Sequence, residues 1–180
     1  MVDPPPQLHM LRALNRLPEV PSPPDGYAVR ALHGDDCERW MSLMNANGEL
    51  GAWTAERAER SFARGRIALE ASVLVLWEER VVATAQLTLH ADDDYAPMPE
   101  LGWVAVDPAH RGRGLGGLVC AEVLARARAF VYRTIFLRTD DHRLPAIAIY
   151  LRLGFAPWHR DDPSAAHRWH AILRQIEARQ

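Results

Sequence analysis

The clearest pattern along the chain is an alternation of apolar and polar residues between positions 73 and 90. Two apolar segments, SVLVLW and VVATAQLTLH, flank a short charged turn at residues 78–80. In the second segment, the polar residues Thr84, Gln86 and Thr88 alternate with apolar ones. A period of two is typical of a strand with one buried and one polar face. The pattern therefore predicts an antiparallel hairpin with a half-buried second strand.

Further strands and helices are predicted over residues 27–178. Strands are expected at YAVRAL, LGWVAV, TIFLRT and FAPWH. Helices are expected at residues 35–44, 55–65, 118–130, 145–153 and 164–178. Asp35, with Glu38 three residues later, is predicted to cap the first helix, and Thr54 the second. The element order predicts an α/β (α+β) domain with a mixed sheet flanked by helices.

The segment before residue 27 is rich in proline. Seven of the 13 prolines lie in residues 1–26: Pro4, Pro5, Pro6, Pro18, Pro21, Pro23 and Pro24. Such a density argues against long helices and internal strands, so a short helix is expected in LHMLRALNRL, between the proline clusters. We interpret residues 1–26 as an arm on a single domain formed by residues 27–180.

Composition and charge narrow the functional classes. The 180 residues are 48% hydrophobic and 24% charged, with a net charge of −2. These values are ordinary for a globular protein and favour neither nucleic acid nor an anionic membrane as a partner. Two cysteines, Cys37 and Cys120, suggest neither a disulfide framework nor a metal site. The opening residues lack the pattern of a signal peptide, and a cytoplasmic location is expected.

A loop of glycine and arginine, HRGRGLGG at residues 110–117, carries the most specific chemical signal. It lies between a predicted strand and a predicted helix. The first N–H groups of a helix have no intrahelical acceptor, and the helix dipole is positive at that end. Glycine lets the backbone approach a ligand, while Arg111 and Arg113 add positive charge. These features together predict a site for a pyrophosphate.

Two familiar phosphate-binding loops do not account for this segment. The Gly-Lys-Ser/Thr triplet of a P-loop is missing from the sequence. Gly112, Gly114 and Gly117 have the G-x-G-x-x-G spacing of a dinucleotide fingerprint, but the acidic residue expected about 20 positions later is missing. A flexible turn that binds nothing is the remaining alternative.

The residues RGRGLG at 111–116 resemble the R/Q-x-x-G-x-G/A signature of the GNAT acetyltransferase superfamily. AIAIYLRLGF at 146–155 is similar to the family's second motif, A-x-x-x-Y-x-x-x-G-F. The resemblance extends over the element order of residues 27–158. It implies a mostly antiparallel sheet in which the family's fourth and fifth strands, here LGWVAV and TIFLRT, are splayed apart.

The same resemblance implies acetyl-coenzyme A as co-substrate and no metal. The pyrophosphate is expected on the backbone N–H groups of residues 111–116, and Gly117 is expected to start the helix. The coenzyme-binding residues of this loop are Arg111, Gly112, Arg113, Gly114, Leu115, Gly116 and Gly117. The pantetheine arm is expected to pair with the backbone of Val104, Ala105 and Val106, which also fit a plain core strand. Arg143 stands where many relatives have asparagine. It is expected either to contact a phosphate or to face solvent.

Two residues are implied in catalysis. Tyr150, in the second motif, is expected to protonate the departing thiolate, since a phenol has an ordinary pKa near 10. The alternative is that the hydroxyl of Tyr150 has a purely structural role. Glu100, just before the fourth strand, is expected to act as the base, through a water. The aspartates at 92–94 are competitors for that role.

The acceptor is expected to enter opposite the coenzyme. Its binding site is predicted to include four residues: Glu49, Trp53, Trp103 and Trp158. Core packing is expected instead for Trp40 and Trp77, and a surface position for His167 and His170.

The predicted function is transfer of an acetyl group from acetyl-coenzyme A to an amine. A small molecule, an antibiotic, a polyamine and a protein N-terminus are all open as acceptors. A homodimer is compatible with the family. The alternative function is a non-catalytic coenzyme A-binding or sensory module.

Overall fold

The computed structural model describes residues 5–63, 67–90, 95, 98–159, 162 and 164–179. Within these residues, seven strands form one sheet in the order β2-β3-β4-β5-β6-β1-β7. The strands are β1 (Leu8–Ala13), β2 (Tyr27–Ala31), β3 (Val73–Trp77), β4 (Arg80–Thr88), β5 (Glu100–Val106), β6 (Thr134–Thr139) and β7 (Ala156–Trp158). All neighbours are antiparallel except β5 and β6. The predicted mixed, mostly antiparallel sheet is confirmed.

Five α-helices cover the two faces of this sheet within the described residues. They are α1 (Cys37–Asn47), α2 (Ala55–Ala63), α3 (Leu115–Ala129), α4 (Leu144–Arg152) and α5 (Ala165–Glu177). One apolar core joins the sheet to α3, α4 and α5. A second core, centred on Trp40, joins the opposite face to α1 and α2. None of the helices described is long and apolar enough to cross a membrane.

The segment predicted to form a short helix between prolines is instead strand β1. It pairs with β6 on one side and with β7 on the other, so it is an internal strand. The expectation that the proline density excludes internal strands was therefore wrong. Residues 8–13 contain no proline, and every backbone N–H in this stretch can join a ladder. Leu8 and Met10 point from β1 into the larger core.

The start of the first helix differs from the prediction by one residue. Asp36, not Asp35, lies at the N-cap of α1. Its carboxylate accepts hydrogen bonds from the His33 backbone N–H and from both Nη atoms of Arg30. The hydrogen bond from Arg30 is the main cause that lowers the pKa of Asp36. Thr54 caps α2 as predicted, since its Oγ1 accepts from the Arg57 N–H. The expected end of α2 at residue 65 lies outside the described residues.

Strand β4 is buried on both faces, not on one. Thr84 and Gln86 are completely buried, because α1 and α2 cover the face that was predicted to be polar. The hydroxyl of Thr84 donates to the carbonyl of Val73 on the neighbouring strand. The alternation along β4 therefore separates an apolar face from a polar face, and both faces are buried.

Val131, after the end of α3, has an unfavourable backbone conformation. Its φ is +71° and its side chain is 83% exposed. A β-branched residue in the left-handed region is strained by contact between its side chain and the backbone. Val131→Gly is expected to raise the free energy of unfolding by about 1 kcal/mol. Urea denaturation measures this value. Unchanged or lower stability would contradict the assignment of strain.

Candidate active site

The two strands that carry the site separate soon after they meet. Within the fully described strands β5 and β6, the ladder consists of one pair, Glu100 with Phe136. On its other side, β5 pairs with β4 and contains a bulge, in which Trp103 and Val104 lie opposite Ala85. Trp103 has a φ of +49° at this bulge. The strands predicted to be splayed are therefore splayed, and the β6-facing side of β5 borders an opening.

The glycine loop follows β5 directly and is anchored at its start. Asp107 accepts a hydrogen bond from the Ala109 N–H and forms an ion pair with Arg80 at 3.4 Å. Next in the chain, the His110 ring bonds to the Tyr27 hydroxyl at 2.8 Å in a buried position. These contacts fix the direction in which the loop leaves the sheet.

The loop backbone has the shape expected of an anion-binding turn. Gly112 and Gly114 have φ values of +76° and +78°, a region that side chains with a Cβ disfavour. Gly114 is the N-cap of α3, and the first N–H to bond within the helix is that of Leu118, to Gly114 O. The N–H groups of residues 115–117 precede that bond. Gly116 packs closely, since a Cβ there would lie 3.2 Å from Ile149 Cδ1.

A cavity of about 720 Å³ opens between the splayed strands and the α1–α2 side of the sheet. Several predicted site residues share this cavity, and they come from three parts of the chain. Those that line it are Glu49, Glu100, Trp103, Val104, Arg143 and Tyr150. A smaller cavity of about 230 Å³ lies at the start of α3 and is lined in part by Gly114, Gly117 and Arg152.

Glu100 lines the large cavity and is 7% exposed. Its Oε1 accepts from Arg138 Nε, and its Oε2 accepts from Arg138 Nη2. The His90 ring lies 2.8 Å from Oε2 through its Nε2. An ionised carboxylate has about four acceptor positions, so Oε1 keeps capacity for one more donor. The competing aspartates at 92–94 lie outside the described residues.

Tyr150 reaches the cavity from α4 and is 7% exposed. Burial is the main cause that raises the pKa of its phenol, Cys120 raises it further, and Arg143 opposes the shift. The phenol therefore keeps its proton throughout the neutral range. Within the described part of the chain, no residue forms a hydrogen bond with its hydroxyl. Tyr150 is thus a protonated side chain beside open space.

The predicted acceptor residues occupy three different environments. Trp103 lines the cavity, whereas Trp53 is buried behind it and packs edge-on against Trp103 and Trp40. Trp158, on β7, packs instead against His9 and Phe136 and is not part of the cavity wall. The structure therefore brings Trp53 and Trp103 together and leaves Trp158 apart from them. Trp40 is fully buried, as predicted.

Glu49 connects the acceptor side to the coenzyme side. Its carboxylate forms an ion pair with Arg111 of the glycine loop at 2.9 Å. Its backbone carbonyl accepts from Arg143 Nη2, and Arg143 also forms an ion pair with Asp140. The Asn47 side-chain amide donates to the carbonyl of Val106. The loop after α1 is thus tied to both predicted coenzyme-binding segments.

Among the cavity residues that sequence reasoning missed are Arg57, His90 and Arg138. His90 lies two residues after β4 and Glu100 begins β5, so a hairpin would bring them together, a signal that was present in the sequence. Arg138 is two residues along β6 from Phe136, on the same face of the strand. Within the described residues, no group of three or more His, Cys, Asp or Glu side chains is arranged to hold a metal ion.

Sequence comparisons find acetyltransferases that are similar to this chain. The model of the acetyltransferase (GNAT) family matches residues 29–155. The mycothiol acetyltransferase of Nocardia farcinica is 33% identical over 172 residues, covering 89% of this chain and 55% of that protein. The mycothiol acetyltransferase of Actinosynnema mirum is 29% identical over 157 residues, covering 84% of this chain and 52% of that protein. The chain spans about half the length of these relatives.

Solved structures share the fold. A GCN5-related N-acetyltransferase from Sphaerobacter thermophilus has a TM-score of 0.72 at 22% identity, covering 86% of this chain and 50% of that chain. Another from Kribbella flavida has a TM-score of 0.58 at 23% identity, covering 85% of this chain and 55% of that chain. At this level of identity the likeness supports the fold alone.

Proposed function

Because the chain belongs to the GNAT acetyltransferase family, we propose that it transfers an acetyl group from acetyl-coenzyme A to an amine. The observation that carries the proposal is the splayed edge of β5, which leads directly into the glycine loop at the start of α3. An extended thioester arm fits the edge, and a pyrophosphate fits the loop. A cytoplasmic location and a homodimer remain predictions.

The coenzyme side of the site would be formed mainly by backbone. The N–H groups of residues 112–117 are expected to hold the pyrophosphate, with the positive end of the α3 dipole behind them. Arg113 is exposed in this loop and adds charge. Val104 and Val106 would hydrogen-bond the pantetheine amides, because the backbone of Ala105 is paired with Thr84 of β4. Arg111 would either give up its ion pair with Glu49 and bind a phosphate, or keep that ion pair and hold the glycine loop in place.

The co-substrate supplies a thioester, whose carbonyl carbon the acceptor nitrogen attacks. A C–N bond forms, the C–S bond breaks, and the amine loses one proton. Glu100 would accept that proton through a water on Oε1, since Arg138 and His90 hold the carboxylate in place. Tyr150 would give its proton to the sulfur and recover one from solvent. The two roles fit a carboxylate and a phenol that line one cavity.

For the acceptor, we propose a small molecule. The support is the name of the curated relatives, mycothiol acetyltransferase, together with a cavity whose volume suits a small ligand. This chain spans only about half the length of those relatives. The acceptor itself is therefore to be identified by experiment.

Acetyl-coenzyme A is expected to stabilise the protein against heat. At about 100 times the dissociation constant, the gain is about 2.7 kcal/mol, whereas NADH should give no comparable shift. Gly114→Val is expected to abolish the gain, because a β-branched residue disfavours the positive φ of this position and places methyl groups at the phosphate site. The melting temperature with and without ligand measures both effects.

A matched control separates loss of binding from loss of fold. Gly34→Val changes a glycine that lies in open space without a positive φ, and it should keep the full ligand shift. Equal shifts in both variants would contradict the coenzyme site. Ligand binding without coenzyme A release in the presence of any amine would instead favour the non-catalytic module.

A further inference from the structure

The large cavity carries an excess of positive charge. Among its described lining residues are four arginines, Arg57, Arg60, Arg138 and Arg143, and two carboxylates, Glu49 and Glu100. An excess of this kind, partly screened from water, raises the local concentration of anions. The cavity lies next to the groups assigned to acetyl transfer, so its charge bears on what is acetylated.

Most of these charges already have a partner in the protein. Arg138 is held in two hydrogen bonds by Glu100, and Arg143 forms an ion pair with Asp140 at 2.9 Å. Arg60 lies 3.3 Å from Glu56 one helical turn away, in an exposed pair of the kind that contributes little. Within the described part of the chain, Arg57 is the cavity arginine without a carboxylate partner.

Arg57 is held in place by aromatic and backbone contacts. Its guanidinium carbon lies 4.0 Å from the centre of the Trp53 ring, and its Nη1 donates to Ala52 O. Trp53 is itself held, because its backbone exchanges two hydrogen bonds with the Asn45 side chain and its indole N–H donates to Leu50 O. A guanidinium has five N–H donors, and one is used here. Because the Arg57 guanidinium stacks on the Trp53 ring, its edge and its remaining N–H donors stay available at the cavity wall.

We infer that the acceptor amine also carries an anionic group, a carboxylate or a phosphate, which Arg57 binds through its guanidinium fork. This inference rests on the proposed function and names the substrate class of that same site. A planar fork that is already oriented loses little freedom on binding and matches the geometry of two oxygen atoms. The anionic group would thereby direct the amine of the same molecule toward Glu100.

The test compares amines with and without an anionic group. The carboxylate pair is β-alanine and β-alaninamide, and the phosphate pair is phosphoethanolamine and ethanolamine. Coenzyme A release gives kcat/KM for wild type, Arg57→Gln and Arg57→Lys. Wild type is expected to favour the anionic member of at least one pair by about 10- to 100-fold, the range of a charge-assisted hydrogen bond. Which pair shows the preference distinguishes carboxylate from phosphate.

The variants show whether Arg57 causes the preference. Arg57→Gln should abolish it by raising KM for the anionic amine alone, and Arg57→Lys should restore part of it. Arg39→Gln, at an exposed position on α1, is the control and should keep the wild-type ratio. A wild type that prefers neutral amines, or an Arg57→Gln variant that loses activity toward both members equally, would overturn the inference.

A binding measurement makes the two proposals separable. The same four amines are titrated without acetyl-coenzyme A, and tryptophan fluorescence reports occupancy beside Trp53. Saturable, Arg57-dependent binding of an anionic amine without any acetylation would overturn the proposed function and support the anion site. Acetylation of neutral amines alone would overturn the anion site and support the function. Neither binding nor acetylation would overturn both.

Discussion

Replacement of Tyr150 by phenylalanine is expected to lower kcat by about 10²- to 10⁴-fold, the usual contribution of a positioned acid. The variant keeps the ring, its contact with Phe155 and the helix. It removes only the hydroxyl, which has no hydrogen-bonding partner among the described residues, so no buried group loses a partner. KM should change little, because the lost interaction forms mainly in the transition state. Steady-state kinetics with an accepted amine measures both constants.

Two controls make this result specific. Tyr132→Phe removes a hydroxyl from a half-buried tyrosine after α3, outside the cavity lining, and should leave kcat unchanged. In the wild type, burial raises the pKa of Tyr150 above its ordinary value of 10.0. The phenol is the acid, so its proton is lost only above that pH. Full turnover of Tyr150→Phe when chemistry limits the rate would show that another group supplies the proton.

Met10→Asp is expected to prevent stable folding. Met10 is fully buried on β1 and lies between Leu137 of β6 and Pro157 of β7. Loss of the methionine contacts costs about 2–5 kcal/mol, and an unpaired buried carboxylate adds several more. The free energy of unfolding of a whole domain is about 5–15 kcal/mol. Circular dichroism and thermal melting at neutral pH measure the result.

Ala13→Asp provides the comparison on the same strand. Ala13 is the exposed last residue of β1 and pairs with Thr134. The same new charge at this position stays in water, so stability should change by no more than about 0.5 kcal/mol. Similar losses in both variants would mean that β1 tolerates no charge at any position. A folded Met10→Asp protein would show that β1 is dispensable for the sheet.

The part of the fold around the two motifs could be predicted from sequence because its signals are local. The glycine loop, the period-two alternation of β4 and the capping threonine of α2 each lie within a few residues of the structure they specify. Strand β1 has no such signal. Its partners are β6 and β7, far along the chain, and the prolines on both sides suggested irregular structure. Only the assembled sheet identifies residues 8–13 as a strand.

The candidate site divides in the same way. Tyr150 and the loop at 111–117 could be proposed because they belong to motifs with fixed spacing. Arg57 belongs to no motif, and on the sequence it is one of several charged residues of an exposed helix. Its position depends on Trp53 beneath it, and the position of Trp53 depends in turn on Asn45. Such a chain of contacts between elements leaves no pattern in the sequence.

The position of β1 also sets the order in which the chain can assemble. Strands β2 to β5 are neighbours in sequence and in space, so they can pair soon after synthesis. The region of β1 can pair only after about 130 further residues have been made, because Gln7 contacts Asp140, 133 residues later. Closing so long a loop slows folding, because its entropy is lost before the contacts form. Throughout translation of that interval, Leu8 and Met10 remain without their native neighbours. Of the seven strands described, β1 therefore leaves the ribosome first and is among the last to be buried.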